Sequence, residues 1–273
     1  MLNQRQRCQN QPSPALLKRR LPGGLGVSLL TVLILLVVWE IMTVFEWIPP
    51  LYLPTPQAVL SKLWDVTSNG YMDATLFQHC ASSLMRIGWA LVVAILLGVP
   101  TGLAIGLNAF ARAVLDPLIE FYRPIPPLAY LPLIVIWFGI GEFSKILLIF
   151  LAIFAPIVVA TAAGVCKVDP LWLRVTQSLG GSRSQIIRYV IIPSLLPDVL
   201  TGIRIGLGAG WSTLVAAELI AATQGLGFMI QSASQFLMTD LVVAGILVIA
   251  VIAFLLELFL RYLQKKLTPW MGR

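Results

Sequence analysis

The sequence predicts an all-α integral membrane protein with six transmembrane helices, and three observations carry that reading. The chain is 58% hydrophobic and 11% charged over 273 residues, whereas a soluble domain uses about 25% charged residues to keep its surface wet. The apolar residues gather in blocks near the length of about 20 that crosses a bilayer as a helix. No block alternates apolar and polar residues with period two, as a membrane barrel requires, so backbone groups in lipid have to be satisfied within helices.

The six blocks run over about 25–45, 86–107, 122–140, 145–166, 200–222 and 241–262, within a membrane domain of 25–263. The first follows Lys18, Arg19 and Arg20. It is too long for the core of a signal peptide, and EWIPP after it offers no small-x-small cleavage site, so it reads as a retained span. Of 19 Lys and Arg residues, all but Lys62, Arg86 and Lys145 fall on one side of this arrangement. That asymmetry places the basic tail 1–24, the loop 167–199 and the tail 264–273 in the cytoplasm, with both termini inside. Segment 46–85 then lies outside. Its IPPLYLPTP is broken by proline, and AVLSKLWDV is amphipathic enough to lie at the membrane interface. Segment 223–239, also outside, reads as a short helix dipping back. The two halves share no inverted repeat, which counts against a secondary carrier.

Several function classes drop out. The net charge of +7 comes without the aromatic-interleaved basic patch of a nucleic-acid binder. Cys8, Cys80 and Cys166 are far apart with no CxxC spacing, which gives neither a disulfide framework nor a zinc site. The absence of GxxxxGK[ST] means that the chain carries no P-loop for nucleotide. His79 is the lone histidine, and no HExxH, paired intramembrane carboxylates or serine with a convincing base occurs. No catalytic residue, metal or cofactor is therefore expected, and an intramembrane enzyme is disfavoured.

The polar stretch 174–204, RVTQSLGGSRSQIIRYVIIPSLLPDVLTGIR, has its own local logic. Asp169-Pro170 offers an N-cap and a proline at the first helical position. Gly180-Gly181 ends that helix. Ser182-Arg183-Ser184-Gln185 fits a capping box and starts a second short helix reaching about Ile191, closed by Pro193 and Pro197. The result is a helical hairpin with Ile186, Ile187 and Val190 as its apolar contact, flanked by Arg183 and Arg188. Helix connectors usually take about two to eight residues, so a capped hairpin of this length reads as a docking surface for a partner's groove.

From Gly180 to Val190-Ile191-Ile192-Pro193 the hairpin resembles the cytoplasmic loop of binding-protein-dependent ABC transporter permeases, and the resemblance extends from about residue 50 to the C-terminus. The family's loop opens with Glu-Ala-Ala, where this chain has Arg174-Val175-Thr176. RPIPPLAYLPLIVIWFGIGE (123–142) and GWSTLVAAELIAATQGLGFMIQSA (210–233) are most similar to the branch carrying taurine, alkanesulfonates, nitrate and bicarbonate, taurine above all. The resemblance implies a type I importer permease fold in the bacterial inner membrane. It also implies two ATP-binding subunits on the cytoplasmic side, a second permease subunit in a homodimer, and an external solute-binding protein. Gly180, Gly181, Ser182, Arg183, Gln185, Ile186, Ile187, Arg188 and Pro193 would then form the coupling helix, with ATP hydrolysis left to the partners. The solute would be a small sulfonate, taurine first, with another alkanesulfonate, nitrate or bicarbonate as alternatives. An autonomous carrier or channel is the rival. It would need acidic relays in several spans and no docking hairpin.

Within the spans, Gly98, Gly102 and Gly106, and again Gly202, Gly206 and Gly210, recur every fourth residue and point to close helix packing. Arg123, Pro124, Pro126 and Pro127 open the third block; prolines there free carbonyls that lipid cannot satisfy, so the segment reads as either a structural kink or a path and gate. Glu218 is an intramembrane charge that either pairs with another helix or lines the path, and Trp211, Ser212 and Thr213 deeper on the same helix are candidate donors to a solute. Glu40 and Glu257 raise the same question more weakly.

Overall fold

The structure is a computed structural model that describes residues 24–269. The expected tail before Gly24, with Cys8, and residues 270–273 lie outside the described residues. In chain order the elements are α1 (Gly24–Val44), α2 (Pro56–Asn69), α3 (Leu76–Leu107), α4 (Ala109–Tyr122), a 3-10 turn (Pro127–Tyr130), α5 (Leu131–Phe138) and α6 (Glu142–Lys167). There follow α7 (Pro170–Ser178), α8 (Arg183–Ile186), a π-helical turn (Ile187–Ile191), α9 (Ile192–Ala221), α10 (Leu226–Gln235) and α11 (Thr239–Leu267). The protein is all-α. Four helical stretches are long and apolar enough to cross a membrane: α3, α6, the continuous run Arg183–Ile220, and α11. The bent pair around the proline segment brings the number to five if its two arms are counted as one broken span. The 21-residue α1, uncharged until Glu40, is a further apolar helix.

Three span boundaries differ from expectation, each for a local reason. The second starts ten residues early, at Leu76, because Thr75 and Gln78 form a capping box there. The third, read as one helix over 122–140, is broken: Ala109–Tyr122 and Pro127–Phe138 meet at 91°. Pro127 holds Pro126 out of the helical region, at φ -58° and ψ 130°, so a straight rod cannot pass. The fifth does not begin near residue 200. Pro193 and Pro197 fail to close the preceding helix, and α8 runs through the π turn into α9 without interruption. In the π turn Ile192 N–H reaches back to Ile187 O rather than one residue less. That wider turn relieves the clash between the Pro193 ring and the carbonyl four residues before it.

The core is organised around α6, whose Leu148, Ile149, Ile153 and Ile157 are fully buried. The two glycine series close on it from either side. Gly98, Gly102 and Gly106 bring α3 against one flank, and Gly202, Gly206 and Gly210 bring α9 against the other. A Cβ on Gly102 would sit 2.6 Å from the Thr161 Cβ and 2.7 Å from the Val158 carbonyl, and one on Gly202 would sit 2.6 Å from the Ala160 Cβ. The series therefore serve packing within one chain. α2 buries Val59 and Val66 and shares a second cluster with Leu226, Met229 and Ala233 of α10 and Leu241 of α11. Outward, Leu29 to Val38 of α1 and Phe254, Leu255, Leu258 and Phe259 of α11 present their apolar side chains uncovered, a surface suited to lipid rather than water.

Candidate functional site

The hairpin is built as its sequence dictates. Asp169 accepts the Leu171 N–H at 2.8 Å and Pro170 opens α7. Gly180 takes a φ of +78°, the left-handed conformation that glycine enters without penalty. Gly181 donates its N–H to Thr176 O at 3.0 Å. The capping box closes at 2.8 Å from Ser182 N–H to Gln185 Oε1 and 3.3 Å from Gln185 N–H to Ser182 Oγ.

Its apolar face is not where the sequence placed it. Ile186 is buried in the main core and Ile187 packs half-buried beside it, so these residues root the hairpin in its own bundle. Side chains that a core can use go there first. The outward apolar residues are Leu171, Trp172, Val175 and Leu179, with Leu179 82% exposed. Leu171, Val175 and Leu179 recur every fourth residue along α7, a helical stripe that the sequence does display. Trp172 and Tyr189 also flank a cleft of about 250 Å³ floored by Val190 and Pro193.

At the proline break, the Tyr122 hydroxyl donates to Leu151 O and holds the bend against α6. Arg123 and Pro124 are exposed. Arg123 lines a cleft of about 320 Å³ together with Arg112, Asp116 and Glu120. α4 thus turns a charged face to the cleft, while Phe110, Val114, Leu118 and Phe121 on its other face are exposed. The trio on α9 does not act together, because successive helical residues point about 100° apart. Trp211 is core, and Thr213 is buried with its hydroxyl on Ala209 O at 2.9 Å. Only Ser212 faces outward.

At the end of the bundle away from the hairpin, Glu218 is 1% exposed and completely partnered. Arg86 Nη1 donates to its Oε1 at 2.6 Å, Ser83 Oγ donates at 2.7 Å, and the Gly227 N–H reaches Oε2 at 2.8 Å. Ser83 in turn accepts the Leu226 N–H at 2.9 Å, and His79 Nδ1 accepts the Gly225 N–H at 3.1 Å. Arg86, itself 5% exposed, also donates to Gln224 O at 2.7 Å and bidentately to Glu142 at 2.6 and 2.9 Å. Lys145 completes the set with a 2.8 Å contact to Glu142. Two cations face two carboxylates, so the cluster is neutral and its buried members, Glu218, Arg86 and Lys145, are all hydrogen-bonded, the condition under which charge is tolerated inside. Glu218 takes the pairing role. Sequence reasoning missed Ser83, Arg86, Glu142 and Lys145; the available signal was that a carboxylate in a span demands a cation. Glu257 likewise pairs with Arg204 and Arg261, and Glu40 accepts from Gln57 at 2.7 Å. Among the described residues no group of His, Cys, Asp and Glu is arranged to hold a metal ion.

Comparison with known proteins decides the family. Residues 90–269 match the family described as binding-protein-dependent transport system inner membrane component. The chain is 61% identical over 247 residues to the taurine transport system permease protein TauC of Escherichia coli K12, covering 90% of each chain. The chain belongs to this permease family.

The permease is also 35% identical to a putative aliphatic sulfonates transport permease protein, SsuC, of Bacillus subtilis, over 92% of this chain and 91% of that one. It is 30% identical to the bicarbonate transport system permease protein CmpB of Synechococcus elongatus, over 97% and 98%. Among solved structures, an inward-facing form of the MetNI methionine ABC transporter aligns with a TM-score of 0.64 at 16% identity, over 71% of this permease and 96% of that chain. The fold is therefore the type I importer permease fold. Both sites described above hang on one helical rod of this permease, the hairpin at its start and Glu218 near its end.

Proposed function

We propose that this permease forms the membrane path of an ATP-driven importer for small sulfonates, taurine first. The observation that carries this reading is the 61% identity to a taurine permease across nine-tenths of both chains, far above the 30–35% to relatives named for other solutes. Two copies enclose the path in the bacterial inner membrane, with both termini in the cytoplasm. Two ATP-binding subunits seat on the hairpins there, and an external binding protein delivers solute from the opposite face. Gly180 to Arg188 and Pro193 form the moving element. The exposed α7 stripe gives the ATPase groove something apolar to grip. Closure of the ATPases draws the two hairpins together and swings the rods on α6, opening the path outward; hydrolysis resets it. Arg123, Pro124, Pro126 and Pro127 form the bend that gates the path, and Ser212 faces it.

The test is uptake of labelled taurine by proteoliposomes holding the permease, its ATP-binding subunits and its binding protein. Uptake should require ATP and be competed by short alkanesulfonates, with nitrate and bicarbonate without effect. Uptake by the permease alone in ATP-free vesicles would return the chain to the autonomous carriers.

A further inference from the structure

The neutral cluster at the far end is asymmetric in a way that bears on transport. Its Glu218 side is sealed: the side chain is 0% exposed and held by donors from α3 and from the first turn of α10. Its Glu142 side is open. That side chain is 58% exposed, and its partners are Arg86 and Lys145. One end of the link is thus fixed and the other is releasable.

The two ends belong to segments with different tasks. Glu218 lies near the end of the continuous rod Arg183–Ile220, about 55 Å from the hairpin at 1.5 Å per residue. Glu142 is the first residue of α6, directly after the bend Gly139–Gly141. That bend carries α5, whose Ile136, Trp137 and Phe138 are exposed, as is Ile140 within the bend. Gly139 has a φ of +75°, and its carbonyl accepts from Ser144 Oγ at 2.6 Å. The bend is therefore tied to the start of α6, and the start of α6 is tied through Arg86 to the rod.

We propose that Arg86 is a positioning residue for transport: through Glu218 and Glu142 it couples the far end of the hairpin rod to the α5–α6 bend. When the rod shifts, Glu218 carries Arg86 with it. Glu142 then either follows, moving the bend, or lets go into solvent, with Lys145 remaining as its counter-ion. Such coupling requires a second arrangement of the cluster, with the Arg86–Glu142 pair broken, beside the paired one in the structure. The inference rests on the importer reading given above, because it needs a motor at the hairpin.

The experiment uses the full complex of permease, ATP-binding subunits and binding protein in proteoliposomes, with native cysteines replaced. Ile140→Cys reports on the bend through its rate of labelling by a membrane-impermeant maleimide, with and without vanadate-trapped nucleotide. Trapping should change that rate. Glu142→Gln should abolish the change and lower uptake per ATP hydrolysed by at least about fivefold, the low end of coupling between sites. Glu142→Asp should restore most of both, which a merely structural role would not produce. Glu218→Gln, which breaks the fixed end, should also lower the recovery of assembled complex. The proposal is overturned if Glu142→Gln keeps the trapping-dependent rate and the uptake ratio, or if Glu142→Gln and Glu142→Asp both fail to assemble. The importer reading stands or falls separately, on whether the unsubstituted complex takes up taurine in the same vesicles.

Discussion

Gly180 shows what a single residue decides. A Cβ there would meet nothing within 4 Å, so its requirement is conformational: φ is +78°. A β-branched residue would be strained by about 1–2 kcal/mol in that region and would relax by redirecting the chain between α7 and α8. Gly180→Val should abolish uptake while insertion and yield stay at wild-type levels, and Gly180→Asn should retain most uptake because Asn tolerates the left-handed region. Uptake and membrane yield, measured side by side, check both. This glycine and the Ser182–Gln185 box were legible because their partners lie within a few residues. Arg86 was not, since it meets Glu218 across 132 residues and looks in the sequence like an ordinary flanking charge. Nor did Trp211, Ser212 and Thr213 betray that they face three ways; adjacency in sequence is divergence on a helix.

Among elements, the hairpin divides its apolar residues between two jobs, and only burial separates them. Ile186 and Ile187 fasten it to the bundle, whereas Leu171, Val175 and Leu179 stand free. Leu179→Asp should therefore weaken retention of the ATP-binding subunits by about tenfold or more, since a charge forced into an apolar groove costs well over 1.4 kcal/mol. Ile186→Ala should leave retention intact and instead lower the melting temperature of the permease, by removing about 2–5 kcal/mol of core packing. Co-purification and thermal unfolding in detergent separate the two outcomes. Proline was the misleading signal at this scale. Pro124, Pro126 and Pro127 break their helix, but Pro193 sits two residues past the end of a π turn that relieves its clash, and the rod continues. A proline marks a missing donor; whether the helix ends there depends on the hydrogen bonding around it.

Over the whole molecule, charge and packing give the bundle two unlike ends joined by one rod. The helices flanking α6 approach it through glycine, so the rod lies close against the central helix with few side chains between them. At the far end Arg86 and Lys145 are neutralised within the cluster and Lys62 pairs with Asp65, leaving no unpaired cation there among the described residues. At the hairpin end Arg174, Arg183 and Arg188 stay exposed. Lys167, Arg204 and Arg261 on the hairpin side are paired as well, so the two sides differ in how many Lys and Arg residues they carry rather than in pairing alone. The proposed orientation rests on that count of Lys and Arg. In a background with the native cysteines replaced, Gln185→Cys should resist an impermeant maleimide applied to spheroplasts and react fully in inverted vesicles. Trp64→Cys, on the exposed face of α2, should do the reverse. Labelling of Gln185→Cys from outside would turn the bundle over and put the hairpin beyond the reach of any cytoplasmic ATPase.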